Sequence, residues 1–178
     1  NETQRLVTLY KGEILIETGH ESLEHYRPFI VKTVQGKITA LGTRFTTRQH
    51  DGYTTVNLYE GKLAIKPEGS NLPESLLEAG ETISFNDSSI LQKSNVLFGS
   101  DAWSTGFLVV DKMTLEDFLV ELSRYRTGTL RCDPQIAHVL ISGAYPIHDA
   151  DAILRSITER WPIRIESFTS YWITLKPA

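Results

Sequence analysis

The sequence predicts an α+β fold in which an all-β domain over residues 1–100 precedes a domain of tandem β-α-β units over residues 101–178. Three observations lead to this prediction. Short apolar runs separated by turn residues fill the first half of the chain, as in all-β domains. After Trp103 the apolar period lengthens from two residues to about 3.6, which indicates helices. Two helix candidates then follow each other at a fixed spacing of 35 residues.

The N-terminal domain is predicted to consist of stacked or rolled strands without a helix. Three hairpins are expected, each around a turn that contains glycine: Lys11-Gly12, Gln35-Gly36 and His50-Asp51-Gly52. The first would join the alternating runs Arg5–Tyr10 and Glu13–Glu17. The segment from Asn86 to Asn95 is rich in serine and aspartate, and we expect an irregular connection to the next domain there.

The C-terminal domain is predicted to repeat a strand-helix-strand unit. Thr114 and Asp149 lie 35 residues apart, and each is placed to cap a helix. The two helices would carry equivalent apolar stripes, Leu115, Phe118, Leu119 and Leu122 in the first, and Ala150, Ile153, Leu154 and Ile157 in the second. The run Tyr171–Leu175 supplies a fifth strand. Since neither unit can cover its own apolar face, we expect the two helices to pack together against small sheets.

Composition and motifs argue against several functional classes. A net charge of -4 is unfavourable for a general nucleic-acid-binding protein. The single cysteine, Cys132, excludes an internal disulfide and any cysteine-based zinc cluster. No nucleophile elbow, zinc-protease motif or phosphate loop is present, and His148-Asp149-x-Asp151 is interpreted as a helix cap. We therefore predict no enzyme, no catalytic residue, no metal site and no cofactor.

A spaced set of short motifs runs through the chain: Leu41, Gly42, Thr43 and Phe45, then Glu60 and Gly61, then Ala79 and Gly80, then Trp103 and Gly106. In this order the motifs resemble the periplasmic part of FecR-like anti-sigma regulators of iron uptake. A helix ending in Arg124-Tyr125, followed by Asp133 and Ser142-Gly143, also fits. The layout of the last 78 residues, 101–178, resembles the STN module shared by secretins and TonB-dependent receptors.

The resemblance implies a location and partners. It predicts the periplasmic region of a single-pass inner-membrane protein of a Gram-negative bacterium, with its membrane anchor upstream of this chain. The implied partner is the N-terminal signalling domain of an outer-membrane TonB-dependent siderophore transducer. A sigma factor would be reached only through a cytoplasmic segment that these 178 residues do not include.

Aromatic residues of the C-terminal domain are the candidates for partner binding, because small sheets expose strand edges and aromatic side chains often anchor such contacts. The candidates are Trp172, Tyr171 and Ile173 on the last strand, with Tyr145 and Trp161 behind them. A role in the core explains the aromatic candidates equally well. Trp103 could likewise line a pocket or anchor the linker onto the second domain. The alternative function is a sensor that binds a siderophore or carbohydrate directly.

Overall fold

A computed structural model describes the chain over residues 5–19, 27–40, 42–69, 71, 73–169 and 171–178. The chain divides into two compact units, Asn1–Leu97 (unit 1) and Phe98–Ala178 (unit 2). Among the described residues, no helix combines the length and the apolar character that crossing a membrane requires. The fold is α+β, as predicted, because the described helices lie in unit 2 and strands occur in both units.

The described residues of unit 1 form two five-stranded sheets. The first sheet has the order β1-β3-β4-β7-β8, with β1 Arg5–Thr8, β3 Phe29–Lys32, β4 Gly36–Ala40, β7 Lys62–Pro67 and β8 Ser75–Glu78. The second has the order β10-β9-β6-β5-β2, with β2 Gly12–Glu17, β5 Arg44–Gln49, β6 Thr54–Glu60, β9 Glu81–Phe85 and β10 Ile90–Asn95. One apolar core joins side chains of both sheets, including Val31, Ile38, Phe45, Val56, Leu63 and Ile83.

Two of the three expected hairpins are confirmed. Strands β3 and β4 pair antiparallel around Gln35-Gly36, and β5 and β6 pair antiparallel around His50-Asp51-Gly52. The prediction of a hairpin around Lys11-Gly12 is wrong, because β1 pairs in parallel with β3 whereas β2 pairs with β5 in the other sheet. Leu9 is buried in the core between the two strands, so the chain changes sheets there instead of reversing within one.

The expectation of an irregular connection at Asn86 to Asn95 is also wrong. The side-chain oxygen of Asn86 accepts hydrogen bonds from the amides of Ser88 and Ser89, at 2.9 and 2.8 Å, and closes a tight turn. Strand β10 follows this turn and pairs antiparallel with β9. All six residues of β10 are exposed, so the strand lacks the alternation of buried and exposed residues that reveals a strand in a sequence.

Unit 2 has the element order that the repeat predicts. The elements are β11 Phe107–Thr114, α1 Leu115–Leu122, β12 Thr129–Cys132, β13 Leu140–Pro146, α2 Ala150–Arg160, β14 Ile163–Thr169 and β15 Trp172–Pro177. A 3-10 helix, Ala102–Thr105, precedes β11. Strands β11 and β13 form a two-stranded antiparallel sheet. The second sheet has the order β12-β15-β14, parallel on the β12 side and antiparallel on the β14 side.

Both predicted caps and both predicted stripes are present. The Thr114 hydroxyl accepts a hydrogen bond from the Asp117 amide at 3.2 Å, and the Asp149 carboxylate accepts one from the Ala152 amide at 2.8 Å. The buried residues of α1 and α2 are the eight predicted ones, at the same positions in each helix. They enter one core with residues of both sheets, in which the rings of Phe118 and Tyr145 meet edge to face at 5.1 Å.

We predict that Asp149→Ala lowers the free energy of unfolding by about 1 kcal/mol, because the first turn of α2 loses its side-chain acceptor. Urea denaturation followed by circular dichroism measures the change. Asp149→Asn is the matched control, since an asparagine oxygen still caps the helix. Equal losses in both variants would contradict the capping role and would point instead to the ion pair of Asp149 with Arg155, whose charged atoms are 3.9 Å apart.

Candidate functional site

The described residues of the first family motif are Gly42, Thr43 and Phe45. They lie at the start of β5, and the motif belongs to the core of unit 1. Phe45 is fully buried and Thr43 is almost fully buried. The Thr43 amide donates to the Thr18 hydroxyl at 2.8 Å, and the Thr18 amide donates to the Thr43 carbonyl at 2.9 Å. Leu41 lies outside the described residues. These contacts give the motif a structural role, since they fix where β5 begins against the end of β2.

The glycine of the Glu60-Gly61 turn allows a close approach to the first motif. A Cβ atom on Gly61 would lie 2.2 Å from the Gly42 carbonyl oxygen, and Gly61 has a φ of 85°. Both facts require glycine at this position. The side chain of Glu60 itself is exposed. The two motifs, which are far apart in the sequence, therefore form one packed corner.

The Ala79-Gly80 turn joins β8 to β9 at the surface. Both residues are exposed, and Gly80 has a φ of 86°. The Gly80 amide donates to the Leu58 carbonyl at 2.8 Å, which ties the turn to β6. Beside it, a hydrogen bond from Lys93 and one from the Glu78 amide lower the pKa of Glu81. The turn is thus a fixed connection between the two sheets.

Trp103 lies in the 3-10 helix that contacts β11, and it is half-buried. Its indole Nε1 atom is buried and has no hydrogen-bond partner among the described residues. Gly106 ends this helix with a φ of 88°, and its amide donates to the Trp103 carbonyl at 3.0 Å. Both residues belong to unit 2, where they set the entry into β11.

The five candidate partner-binding residues fall into two groups. Trp172 and Tyr171 are exposed, at 47% and 63% of their surface. Ile173 and Tyr145 are buried, and Trp161 is half-buried against the core of unit 2. The Tyr145 hydroxyl donates to the Ser142 carbonyl at 3.3 Å, and burial raises the pKa of Tyr145. Of the five, the structure leaves Trp172 and Tyr171 most accessible to a partner.

Strand β15 lies in the middle of its sheet, between β12 and β14, although it is the last strand in the sequence. Its backbone groups are therefore already paired on both sides, and no further strand can add to it. Trp172 can meet a partner only through its side chain, on the sheet face opposite the buried Ile173 and Leu175. This face, which we call the outer face of the three-stranded sheet, also carries Arg131 and Thr174 beside Trp172.

The outer face combines one large aromatic ring with an excess of positive charge. The Arg131 guanidinium lies over the Trp172 ring at 5.4 Å from its centroid. Three basic residues, Arg131, Arg164 and Lys176, share the face with Glu166. The Lys176 ammonium lies 3.0 Å from the Glu166 carboxylate, and the Arg164 guanidinium lies 4.0 Å from it. Such a face suits a partner with acidic or aromatic groups.

The remaining reactive residues have structural surroundings. Burial raises the pKa of the Cys132 thiol, and the carboxylates of Glu116 and Asp133 raise it further, so the thiol is protonated near neutral pH. Asp149 caps α2, as described above. In the part of the chain that the structure describes, no three His, Cys, Asp or Glu side chains are grouped to hold a metal ion.

Comparison with known proteins gives a family match over part of the chain and a shared fold. The family described as FecR protein matches residues 1–64. Two crystal structures of candidate anti-sigma factors from Parabacteroides distasonis share the fold, each with a TM-score of 0.70. One is 23% identical and aligns over 100% of this chain and 83% of its own. The other is 24% identical and aligns over 97% and 81%.

No curated protein is significantly similar to the chain in sequence. The resemblance of the motifs to the FecR family is confirmed by the family match over residues 1–64. The two crystal structures, at 23% and 24% identity, show a shared fold.

Proposed function

We propose that this chain is the periplasmic signal-receiving region of an inner-membrane sigma-factor regulator. In this proposal unit 2 is an STN-like module that binds the signalling domain of an outer-membrane TonB-dependent siderophore transducer. The FecR match and the fold shared with candidate anti-sigma factors support a regulatory role. The tandem β-α-β order of unit 2 supports the choice of module.

The observation that carries the docking proposal is the exposed Trp172 on the outer face of the three-stranded sheet. A tryptophan on a core-forming sheet contributes most to stability when it is buried, yet 47% of this side chain remains in water. Tyr171, directly before it, is 63% exposed. Adjacent exposed aromatic residues are typical of the centre of a protein interface, where they lose water on binding.

Arg131 prepares Trp172 for binding. The guanidinium over the ring favours this orientation of the indole, so less side-chain entropy is lost when a partner arrives. The ring also stands on a rigid base, because the neighbouring Ile173 and Leu175 are anchored in the core. A partner would therefore meet a preorganised surface.

Unit 1 contributes a rigid element between the docking unit and the membrane anchor that the family resemblance implies. Its family motifs are packed in the corner that Gly61 and Gly42 form, which supports a scaffold role for unit 1. Signal transfer would then begin with protein contacts. The sigma factor would respond through a cytoplasmic segment outside these 178 residues.

Isothermal titration separates this function from direct ligand sensing. The complete chain is titrated with purified signalling domains of siderophore-type TonB-dependent transducers, and in parallel with free siderophores. The proposal predicts heat of binding with one or more signalling domains and none with siderophore alone. Binding of siderophore without a signalling domain would favour the sensor alternative.

Replacement of Trp172 should weaken partner binding without affecting the fold. We predict that Trp172→Ala weakens binding to the signalling domain at least about tenfold, as is usual for a central aromatic residue. Circular dichroism and the melting temperature should change little, because the side chain is half in water. Tyr10→Ala is the control, since Tyr10 is a 79% exposed aromatic residue of unit 1. Equal binding by both variants would contradict the docking role of Trp172.

Replacement of Ile173, the residue after Trp172, should instead lower the stability of the fold. Ile173 is 8% exposed and belongs to the core of unit 2. We predict that Ile173→Ala lowers the free energy of unfolding by about 2–4 kcal/mol, measured by urea denaturation, because it leaves a cavity. Ile173→Val should lose only about 1 kcal/mol. A fully stable Ile173→Ala variant would show that β15 does not present this side to the core.

A further inference from the structure

Strand β13 has an unusual open edge. The other described edge strands of six or more residues carry charged side chains. Charged side chains protect an edge against added strands. They are Glu13 and Glu17 in β2, Lys93 in β10, Asp111 and Lys112 in β11, and Arg164 and Glu166 in β14. The remaining described edge strands β1, β8 and β12 have only four residues each. Strand β13 has seven residues, Leu140–Pro146, and none is charged.

The register of the two-stranded sheet shows which backbone groups of β13 face this edge. The Ile147 amide donates to the Gly106 carbonyl at 3.0 Å, and the Leu115 amide donates to the Val139 carbonyl at 2.7 Å. Hydrogen-bonded and non-hydrogen-bonded pairs alternate along antiparallel strands. The Val109–Ala144 and Thr114–Leu140 pairs are therefore non-hydrogen-bonded. The amides and carbonyls of Ala144 and Leu140 point away from β11, toward the open edge.

The edge is also accessible and held firmly in place. Leu140 is 53% exposed, and Ser142, Gly143 and Ala144 are exposed as well. Ile141 is fully buried and Tyr145 is nearly so. A strand anchored in the core at two positions loses little conformational entropy when another strand pairs with it.

The opposite strand of this sheet is less suited to accept a strand. In β11 the register shifts between Val110 and Met113, and Lys112 has a φ of 51°. The Ser142 hydroxyl holds this bulge, since it accepts from the Lys112 amide at 2.8 Å. Gly99 packs against Val109, because a Cβ on Gly99 would lie 2.6 Å from that side chain. Bulges and covering segments are common protections of sheet edges. On β13, Pro146 lies opposite Phe107 in a non-hydrogen-bonded pair, so the open edge ends at a residue without an amide N–H, and the outward amides of Leu140 and Ala144 precede it.

We propose that the open edge of β13 binds an extended strand of the partner's signalling domain, which becomes a third strand beside β11 and β13. This inference rests on the proposed function and adds the place and manner of contact. The incoming strand should be uncharged where it faces Leu140, because a charge packed against this exposed leucine would lose water without a partner.

A second copy of this chain is a poorer occupant of the same edge. Two β13 strands pairing with each other would bury one seven-residue strand from each chain. That contact is far smaller than the roughly 1,200–2,000 Å² of a stable interface. A different protein that also covers Trp172 on the same unit would gain from both contacts.

Amide hydrogen exchange, resolved by residue, tests the proposal on the complete chain. The probe is a signalling domain that binds in the titration above. In the free chain the Leu140 and Ala144 amides should exchange fast, and in the complex they should exchange at least about tenfold more slowly. The amides of Ile165 and Ser167 on the open edge of β14 serve as the internal control, and their exchange should not change.

A proline substitution on the open edge of β13, followed by a binding measurement, provides an independent test. Ala144→Pro removes one amide that points away from β11 and leaves the pairing within the sheet unchanged, which edge strands tolerate. We expect at least about tenfold weaker binding to the signalling domain. Ser167→Pro is the matched control, because Ser167 is an exposed residue with an outward amide on β14. It should bind like the original chain, and melting temperatures verify folding.

The possible results are distinct. The absence of binding by the original chain to any signalling domain would overturn the proposed function and this inference with it. Binding without protection of Leu140 and Ala144 would overturn this inference alone. The amides of Leu140 and Ala144 could also become protected without a signalling domain, as the concentration of the chain rises. That result would assign the edge to a second copy of the chain and would overturn the inference as well.

Discussion

The fold of unit 2 depends on one constraint, the burial of two equivalent helix stripes in a single core. Each helix is too short to be stable alone, so its apolar side chains must be covered by the two small sheets. This requirement uses the inner faces of both sheets, including Tyr145 and Ile173. What remains for a partner is the outer face with Trp172 and the strand edges. Folding thus decides which residues can take part in recognition.

Burial in a packed core also explains the family motifs of unit 1, and it distinguishes them from the exposed residues of the outer face in unit 2. Gly42, Thr43 and Phe45 determine a packed corner in unit 1, and Gly61 must be glycine for this corner to close. Such residues report on the fold, because any change there disturbs packing. The surface with Trp172 and Arg131 carries none of the family motifs, so partners can differ between relatives that share the fold.

Several features of the fold could be predicted from the sequence because they are local. The caps and stripes of α1 and α2 follow from residues within one or two turns, and the hairpins around Gly36 and Gly52 follow from their turns. The parallel pairing of β1 with β3 could not be predicted, since it joins distant segments. The candidate site shows the same division. Alternation along β15 separates Trp172 from Ile173, but only the packing of α1 and α2 shows which of the two faces the core, and only the sheet order shows that β15 is central.

Nuclear magnetic resonance can test whether a partner protein docks on the outer face of the three-stranded sheet. The isotope-labelled chain of 20.1 kDa is titrated with an unlabelled signalling domain while the indole N–H signals of its three tryptophans are followed. We predict that the Trp172 signal shifts or broadens at stoichiometric ratios while that of the half-buried Trp161 stays in place. A bound state in which the Trp172 signal does not change would contradict it.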